Sequence, residues 1–156
     1  MTGIQMSGSS TLLPRRFAIL GYGGLLPFVG LMLLVVFVPE YRALWAMMLV
    51  NYGAVILSFV GALHWGFAMA LPALPAEQRR KRLMWSVVPA LLGWVSTLLP
   101  VSLGCLMLLG GFALHYWQDR KLLQVVPGWY LPMRLQLTTV ASICLLLGAM
   151  ALTSDF

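Results

Sequence analysis

The fold of this protein is decided by residues 44–71, which read LWAMMLVNYGAVILSFVGALHWGFAMAL. This stretch contains no Asp, Glu, Lys or Arg. An α-helix needs roughly 20 apolar residues to cross the hydrocarbon of a bilayer. The stretch therefore predicts a transmembrane helix that tilts or extends beyond the hydrocarbon, and Pro72 and Pro75 stop it.

The rest of the chain repeats this pattern at shorter length. The 156 residues are 61% hydrophobic and 9% charged, with a mean hydropathy of +0.91, which is far more apolar than soluble domains. Spans are predicted at residues 17–38, 44–71, 83–99, 101–117 and 131–152. The sequence thus predicts an all-α integral membrane bundle of five transmembrane helices. This single domain covers residues 14–156, after a disordered tail at 1–13 that is rich in Ser, Thr and Gly.

Lysine and arginine are divided unequally between the two sides of such a bundle. Only Arg42 falls on one side, and the other side holds Arg15, Arg16, Arg79, Arg80, Lys81, Arg82, Arg120, Lys121 and Arg134. The positive-inside rule then predicts a cytoplasmic N-terminus and a C-terminus outside, in a bacterial inner membrane or, in a eukaryote, the mitochondrial inner membrane. The formal charge of +6 is explained by topology, and no nucleic-acid partner is expected.

Each predicted span carries small residues at helical spacing, the pattern that lets helices pack closely in lipid. In chain order these stripes are Gly23, Pro27 and Gly30; Ala54, Ser58 and Ala62; Ser86, Pro89, Gly93 and Ser96; Gly104 and Gly111; and Thr138, Ala141 and Gly148. A tightly packed bundle is expected, with kinks at Pro27 and Pro89. Stripes that the five helices leave uncovered would serve a partner.

Polar side chains inside the spans are expected to have hydrogen-bond partners or a function, because lipid offers them no hydrogen bonds. They are Asn51, His64, His115, Arg134 and Gln136. Asn51 lies on the same stripe as Ser58 and is expected to hydrogen-bond to a neighbouring helix.

The two histidines lie at similar depth near the cytoplasmic face, because the second and fourth spans run in the same direction. Two facing imidazoles could ligate a b-type haem. Alternatively, His115 lies at the headgroup level and His64 donates to a backbone carbonyl. No other cofactor is expected, and two candidate ligands are too few for a zinc site.

Aromatic residues gather near the same face and include Trp65, Trp85, Trp117, Trp129 and Tyr130. They indicate an interfacial belt, in which Arg134 reaches the headgroups or pairs with Asp119. The alternative is a pocket for an amphipathic ligand such as a quinone, a porphyrin or a lipid head. The candidate ligand-binding residues are then His64, Trp65, Trp85, His115, Trp129, Tyr130 and Arg134.

Catalytic chemistry has no sequence signal in this chain. Motifs such as GxGxxG, GxSxG and HExxH are absent, and the four acidic residues lie at span ends or in loops. Cys105 and Cys144 lie within apolar segments without a CxxC spacing and are expected to be buried free thiols. No catalytic residue and no metal site is therefore assigned.

Four segments resemble a known family: LGYGGLLPF (20–28), YGAVILSFVGALHWG (52–66), WSVVPALLGW (85–94) and PGWYLPMRLQLT (127–138). They are similar to the domain of unknown function 3429 family, and the likeness runs from about Leu20 to Leu147. The resemblance implies a small multi-helix protein of bacterial or mitochondrial inner membranes. It implies no activity and no catalytic residues.

Three functions are compatible with these features. The leading hypothesis is a non-enzymatic accessory or assembly partner of a membrane complex, or a homo-oligomer. The second is a binding module for a hydrophobic or tetrapyrrole ligand at the aromatic, histidine and arginine cluster. The third, a small transporter, would need a continuous polar path that the polar residues do not form.

Overall fold

The computed structural model describes residues 19–70, 75–122 and 128–153. This part of the chain is helical apart from short connections and a break at Gly24, with no strand among the described residues. Its α-helices are α1 (Leu25–Phe37), α2 (Arg42–Ala70), α3 (Ala76–Leu98), α4 (Val101–Asp119) and α5 (Tyr130–Thr153). The tail predicted at residues 1–13 lies outside the described residues.

Three of the described helical segments are long and apolar enough to cross a membrane. They are Ile19–Phe37, Pro39–Ala70 and Tyr130–Thr153. The outer surface of the bundle exposes many large apolar side chains, among them Leu26, Phe37, Phe59, Met69, Met84, Trp94 and Leu98. An apolar surface of this extent requires lipid as its solvent.

Helix α1 begins at Leu25, after the interruption at Gly24, rather than at residue 17. The other helix bounds follow the predicted spans except at the start of α3. This helix begins at Ala76 rather than at residue 83, so the basic run at 79–82 is helical and not a loop. The run AEQRRKR consists mostly of good helix formers, and Glu77 in the first turn complements the helix dipole. The cationic side chains are therefore presented from the first turns of a helix.

Helix α2 is the central element of the bundle. It contacts all four other helices, which follow one another around it in the order α1, α5, α4, α3. The hydrophobic core lies between these elements and consists of Phe28, Leu49, Val50, Ala54, Leu57, Cys105, Leu108, Phe112, Ala141, Cys144, Leu145 and Ala149. Both cysteines are buried and free, as predicted.

Close backbone approach holds α3 against its neighbours. All four residues of its predicted stripe, Ser86, Pro89, Gly93 and Ser96, are buried, which confirms the prediction. A Cβ atom on Gly93 would lie 2.8 Å from the carbonyl oxygen of Ala54 on α2. The stripes of α4 and α5 are buried as well.

The packing prediction for the first span is wrong. Gly23, Pro27 and Gly30 are all exposed, and a Cβ on either glycine would meet nothing within 4 Å. The reason is that α1 packs through Phe28 and Val35, which lie on another face of the helix. On α2, Ala62 is likewise exposed, and Gly61 packs against Pro89 in its place.

The first helical segment is interrupted at Gly24, three residues before Pro27. Proline lacks the N–H that would continue the ladder, so a helix break near this position is expected. The hydroxyl of Tyr52 on α2 donates to the carbonyl of Gly24 at 2.8 Å. By contrast, α3 continues as a helix through Pro89.

Candidate functional site

A buried group of ionisable side chains lies at the end of the bundle where α4 stops. Asp119 is the last residue of α4, and its side chain is 0% exposed. One carboxylate oxygen accepts from Nε2 of His64 on α2, and the other accepts from Nε of Arg134 on α5, both at 2.9 Å. Three helices are therefore joined through one carboxylate.

His115 completes what we call the Asp119 cluster: Asp119, His64, Arg134 and His115. It lies one turn before Asp119 on α4 and is fully buried, with its ring centre 5.0 Å from that of His64. The indole N–H of Trp85 on α3 donates to its Nδ1 at 3.4 Å. Its Nε2 atom has no hydrogen-bond partner among the described residues, although the backbone carbonyl of Val60 lies near the ring.

Metal binding is one chemistry that this cluster could offer. Ligand atoms of His64, His115 and Asp119 lie within 4.8 Å of one another, and such a set can hold zinc or iron. Two contacts oppose this use. Arg134 already balances the charge of Asp119, and the donor from Trp85 keeps the remaining ring proton of His115 on Nε2, where a metal would need a lone pair.

Haem ligation makes a different demand on the two histidines. Two imidazoles on opposite sides of one iron, each bonded at about 2 Å, hold their ring centres roughly 6 Å apart with a porphyrin between them. Here the rings pack at 5.0 Å, and His64 Nε2 is bonded to Asp119. A haem would have to separate them, and its binding stays a prediction.

An apolar cavity of about 580 Å³ lies on one side of the Asp119 cluster. The cavity is lined by residues of α1, α2, α4 and α5 and by residues just before α1 and α5. Most of the lining residues are leucine, isoleucine, valine, methionine or aromatic residues. Arg134 is the cluster member in its wall. Cavities of roughly 300–1,000 Å³ are typical of small-molecule sites.

Three polar side chains of α5 line this cavity at successive helical turns: Tyr130, Arg134 and Thr138. All three are buried, and each has a polar atom without a hydrogen-bond partner among the described residues: the Tyr130 hydroxyl, Arg134 Nη2 and Thr138 Oγ1. We call these three groups the α5 polar row. A buried polar atom that lacks a partner costs about 1–3 kcal/mol.

A second pocket, of about 650 Å³, lies on the other side of the cluster. We call it the polar pocket; it is lined by His64, Gln78, Lys81, Arg82, Met84, Trp85, Val88, Gln118 and Lys121. The ammonium group of Lys121 lies 3.8 Å from the ring centre of Trp117. Lys81 pairs with Glu77 at 2.6 Å, and this hydrogen bond and charge lower the pKa of the Glu77 carboxyl.

Five of the candidate residues named from sequence come together around the Asp119 cluster: His64, Trp85, His115, Tyr130 and Arg134. Trp129 lies at the edge of the apolar cavity, with its ring centre 6.4 Å from that of Tyr130. Of the two alternatives for Arg134, the pair with Asp119 is the one observed.

Four expectations need correction. Trp65 is exposed on α2 and lines neither pocket, and Asn51 is exposed, without a hydrogen bond to a neighbouring helix among the described residues. Ser58 donates to the Ala54 carbonyl of its own helix at 2.8 Å. His64 bonds to a carboxylate and not to a backbone carbonyl, and His115 is buried rather than at the headgroup level.

The predicted span at 101–117 leaves Asp119 outside the helix, and Thr138 is not among the candidate site residues that the sequence indicates. The available signals were spacings: Asp119 follows His115 by four residues, and Thr138 follows Arg134 by four. Residues four apart share a helix face. Gln136 has a partner outside the cluster, because the hydroxyl of Tyr22 donates to its side-chain oxygen.

An apolar outer surface around a helical bundle with a buried ionisable cluster defines a helical membrane protein. The chain belongs to the family described as "Protein of unknown function (DUF3429)", whose model matches residues 13–150. This confirms the resemblance seen in the sequence.

Two curated relatives share the name transmembrane protein 69. The protein from Xenopus tropicalis is 40% identical over 132 residues, which cover 82% of this chain and 51% of the relative. The protein from Mus musculus is 31% identical over 134 residues, which cover 83% and 54%. The chain thus spans about half the length of these relatives. No solved structure matches it.

Proposed function

We propose that this protein is a five-span inner-membrane protein that binds a lipophilic small molecule in the apolar cavity. The N-terminus lies in the cytoplasm of a bacterium or in the mitochondrial matrix, since the basic residues of α3 and of the α4–α5 connection gather at one end. The role is one of binding, and catalysis is not part of the proposal.

The α5 polar row is the observation that carries this proposal. Its three side chains line a cavity whose wall is otherwise largely apolar, and each carries a buried polar atom without a hydrogen-bond partner among the described residues. In lipid, a polar group that lacks a partner is costly, because no water is present to replace the missing hydrogen bond. A molecule with an apolar body and a polar head would fill the cavity and satisfy these atoms.

The Asp119 cluster supports the same interpretation by fixing Arg134. The Nε atom of Arg134 is bonded to Asp119, while its Nη2 atom has no hydrogen-bond partner among the described residues and the side chain lines the cavity. A side chain held in place loses little conformational entropy when a ligand binds, so the site is preorganised. His64 holds the other oxygen of the carboxylate and keeps it oriented.

A cavity-filling variant tests this function. We expect Leu137→Trp to reduce the amount of co-purified lipophilic molecule at least tenfold, because Leu137 lines the cavity and an indole ring would occupy part of it. The measurement is native mass spectrometry, with extraction and identification of the bound molecule, on protein purified in mild detergent.

Leu135→Trp is the matched control, since this side chain is two residues away on α5 and is exposed. It should retain the molecule. Equal occupancy in both variants, or purified protein that carries no molecule under several mild conditions, would count against the proposed function.

A second candidate function, the accessory partner of a membrane complex, is favoured by the uncovered stripe before and within α1. Gly23, Pro27 and Gly30 are exposed, and each glycine has open space where a side chain would be. Small residues of this kind allow a helix from another chain to approach closely.

The double variant Gly23→Leu with Gly30→Leu is expected to keep its thermal stability and to lose co-purifying membrane subunits. Gly66→Leu serves as the control, because Gly66 is also exposed with nothing within 4 Å of its Cβ position, but lies on α2. Unchanged subunit recovery in the double variant would argue against a partner at this face. The readout is quantitative mass spectrometry after gentle extraction.

A further inference from the structure

The charges of the Asp119 cluster restrict what the apolar cavity can accept. Asp119 and Arg134 form a buried pair whose charges cancel, and His64 contributes a hydrogen bond to the same carboxylate. Asp119 is fully buried, so water does not screen its charge well. An anionic head placed at Arg134 would compete with this carboxylate and leave an excess negative charge in low-dielectric surroundings.

The polar atoms of the row that have no partner in the described part of the chain determine the hydrogen-bonding character of the head. Nη2 of Arg134 can only donate, while the hydroxyls of Tyr130 and Thr138 can donate or accept. A head that carries acceptors on more than one side can satisfy several of them at once. A head that only donates would leave Arg134 without a partner.

The spacing of the α5 polar row matches a small ring. Residues four apart on a helix are separated by about 6 Å along the axis. Two carbonyl oxygens on opposite sides of a six-membered ring, with C=O bonds of about 1.2 Å, lie roughly 5 Å apart. Neighbouring residues of the row are therefore spaced along the helix by about the width of such a ring.

Aromatic side chains in the cavity wall favour a flat head group. They are Phe28, Phe59, Phe112, Trp129 and Tyr130. Flat rings pack well against such walls in offset or edge-to-face arrangements. The leucine and isoleucine side chains of the same cavity, such as Leu25 and Ile56, provide apolar surface for an alkyl or isoprenoid tail.

From these four constraints we infer that the ligand of the apolar cavity carries an uncharged, flat head with carbonyl acceptors on opposite sides, as in a quinone with a hydrocarbon tail. This inference rests on the proposed function and names the ligand class for the same site. It assigns no redox step to the protein.

The test uses the full chain in phosphatidylcholine nanodiscs and three probes: a decyl-substituted 1,4-benzoquinone, oleate and methyl oleate. Binding of the benzoquinone is followed by quenching of tryptophan fluorescence, since Trp129 lies at the cavity edge. The two oleyl compounds are then used as competitors. They share the same acyl chain and differ at the head, which is a charged carboxylate in oleate and an uncharged methyl ester in methyl oleate.

We expect the benzoquinone to bind most tightly and methyl oleate to compete more strongly than oleate. Tyr130→Phe and Thr138→Val, which remove a hydroxyl at nearly constant shape, should each weaken benzoquinone binding about three- to tenfold, the worth of one hydrogen bond. Thermal stability of both variants is measured alongside, so that a folding defect is distinguished from a loss of binding.

Different results would contradict the ligand class and the binding function. Oleate competing as well as or better than methyl oleate, or benzoquinone binding unaffected in both hydroxyl variants, would overturn the ligand class while the cavity remains a binding site. If none of the three probes binds and the Leu137→Trp protein carries as much lipophilic molecule as the Leu135→Trp protein, the binding function itself fails.

Discussion

Asp119→Asn is expected to destabilise the folded bundle by about 3–5 kcal/mol, because it leaves the Arg134 guanidinium buried without a counter-charge. Asp119 is fully buried, and Arg134 is only 6% exposed, so neither charge can turn towards water without opening the bundle. The asparagine retains one oxygen that accepts from His64, while its NH2 group replaces the oxygen that accepts from Arg134, so the variant loses both the charge and this second hydrogen bond. The measurement is the melting temperature from size-exclusion chromatography of heated, detergent-purified protein.

Arg134→Met is the complementary single variant. Together with the double variant Asp119→Asn with Arg134→Met, the two single variants form a double-mutant cycle. The double variant contains no unpaired charge and should be more stable than either single variant, since replacing both members of a buried pair is far less costly than removing one. Additive losses in the double variant, or single variants that melt like the parent, would show that the pair does not hold the three helices together.

Gly104→Ala is expected to destabilise the bundle by about 1–3 kcal/mol, the usual cost of overpacking. A Cβ atom at Gly104 would lie 2.6 Å from the carbonyl oxygen of Ser96 and 3.2 Å from Val50 Cγ1. The closer of these atoms is backbone and cannot rotate away, so the α3–α4 pair would have to separate. The loss is read as a lower melting temperature under the same conditions.

Gly110→Ala is the matched control on the same helix. A Cβ at Gly110 meets nothing within 4 Å, and alanine is a better helix former than glycine by about 1 kcal/mol. This variant should be unchanged or slightly more stable. If both substitutions destabilised the bundle equally, the cause would be the loss of glycine itself and not the contact with Ser96.

Helix packing shows how far sequence reasoning extends. The α3 stripe of Ser86, Pro89, Gly93 and Ser96 is fully buried, as its spacing predicts. The first stripe follows the same rule and is exposed, because α1 turns Phe28 and Val35 towards the bundle. Small residues permit close contact with any helix, and their spacing does not say whether a neighbour within the chain supplies it.

The candidate site shows the same limit at the level of individual polar groups. The relative depth of His64 and His115 follows from helix direction, and the structure brings their rings together. Asp119 was placed in a loop because the apolar run ends at Trp117, whereas α4 continues to residue 119 and buries the carboxylate. The pair with Arg134 is one of the two alternatives that the sequence offers, but nothing in the sequence indicates that His64 bonds to the same carboxylate.

The sequence by itself determined that lipid is the solvent, where the helices lie, and which family the chain belongs to. These properties depend on local composition, on spacing along one segment and on residue-by-residue similarity, all of which can be read in one dimension. Only the tertiary structure decided that α2 is central, that Asp119 joins His64 to Arg134, and that the residues of the α5 polar row line a cavity. Those properties depend on which helix faces pack against each other. In a chain this apolar, many pairings of helix faces bury similar amounts of apolar surface. The shape of the helix surfaces and a few polar contacts therefore determine which pairing forms.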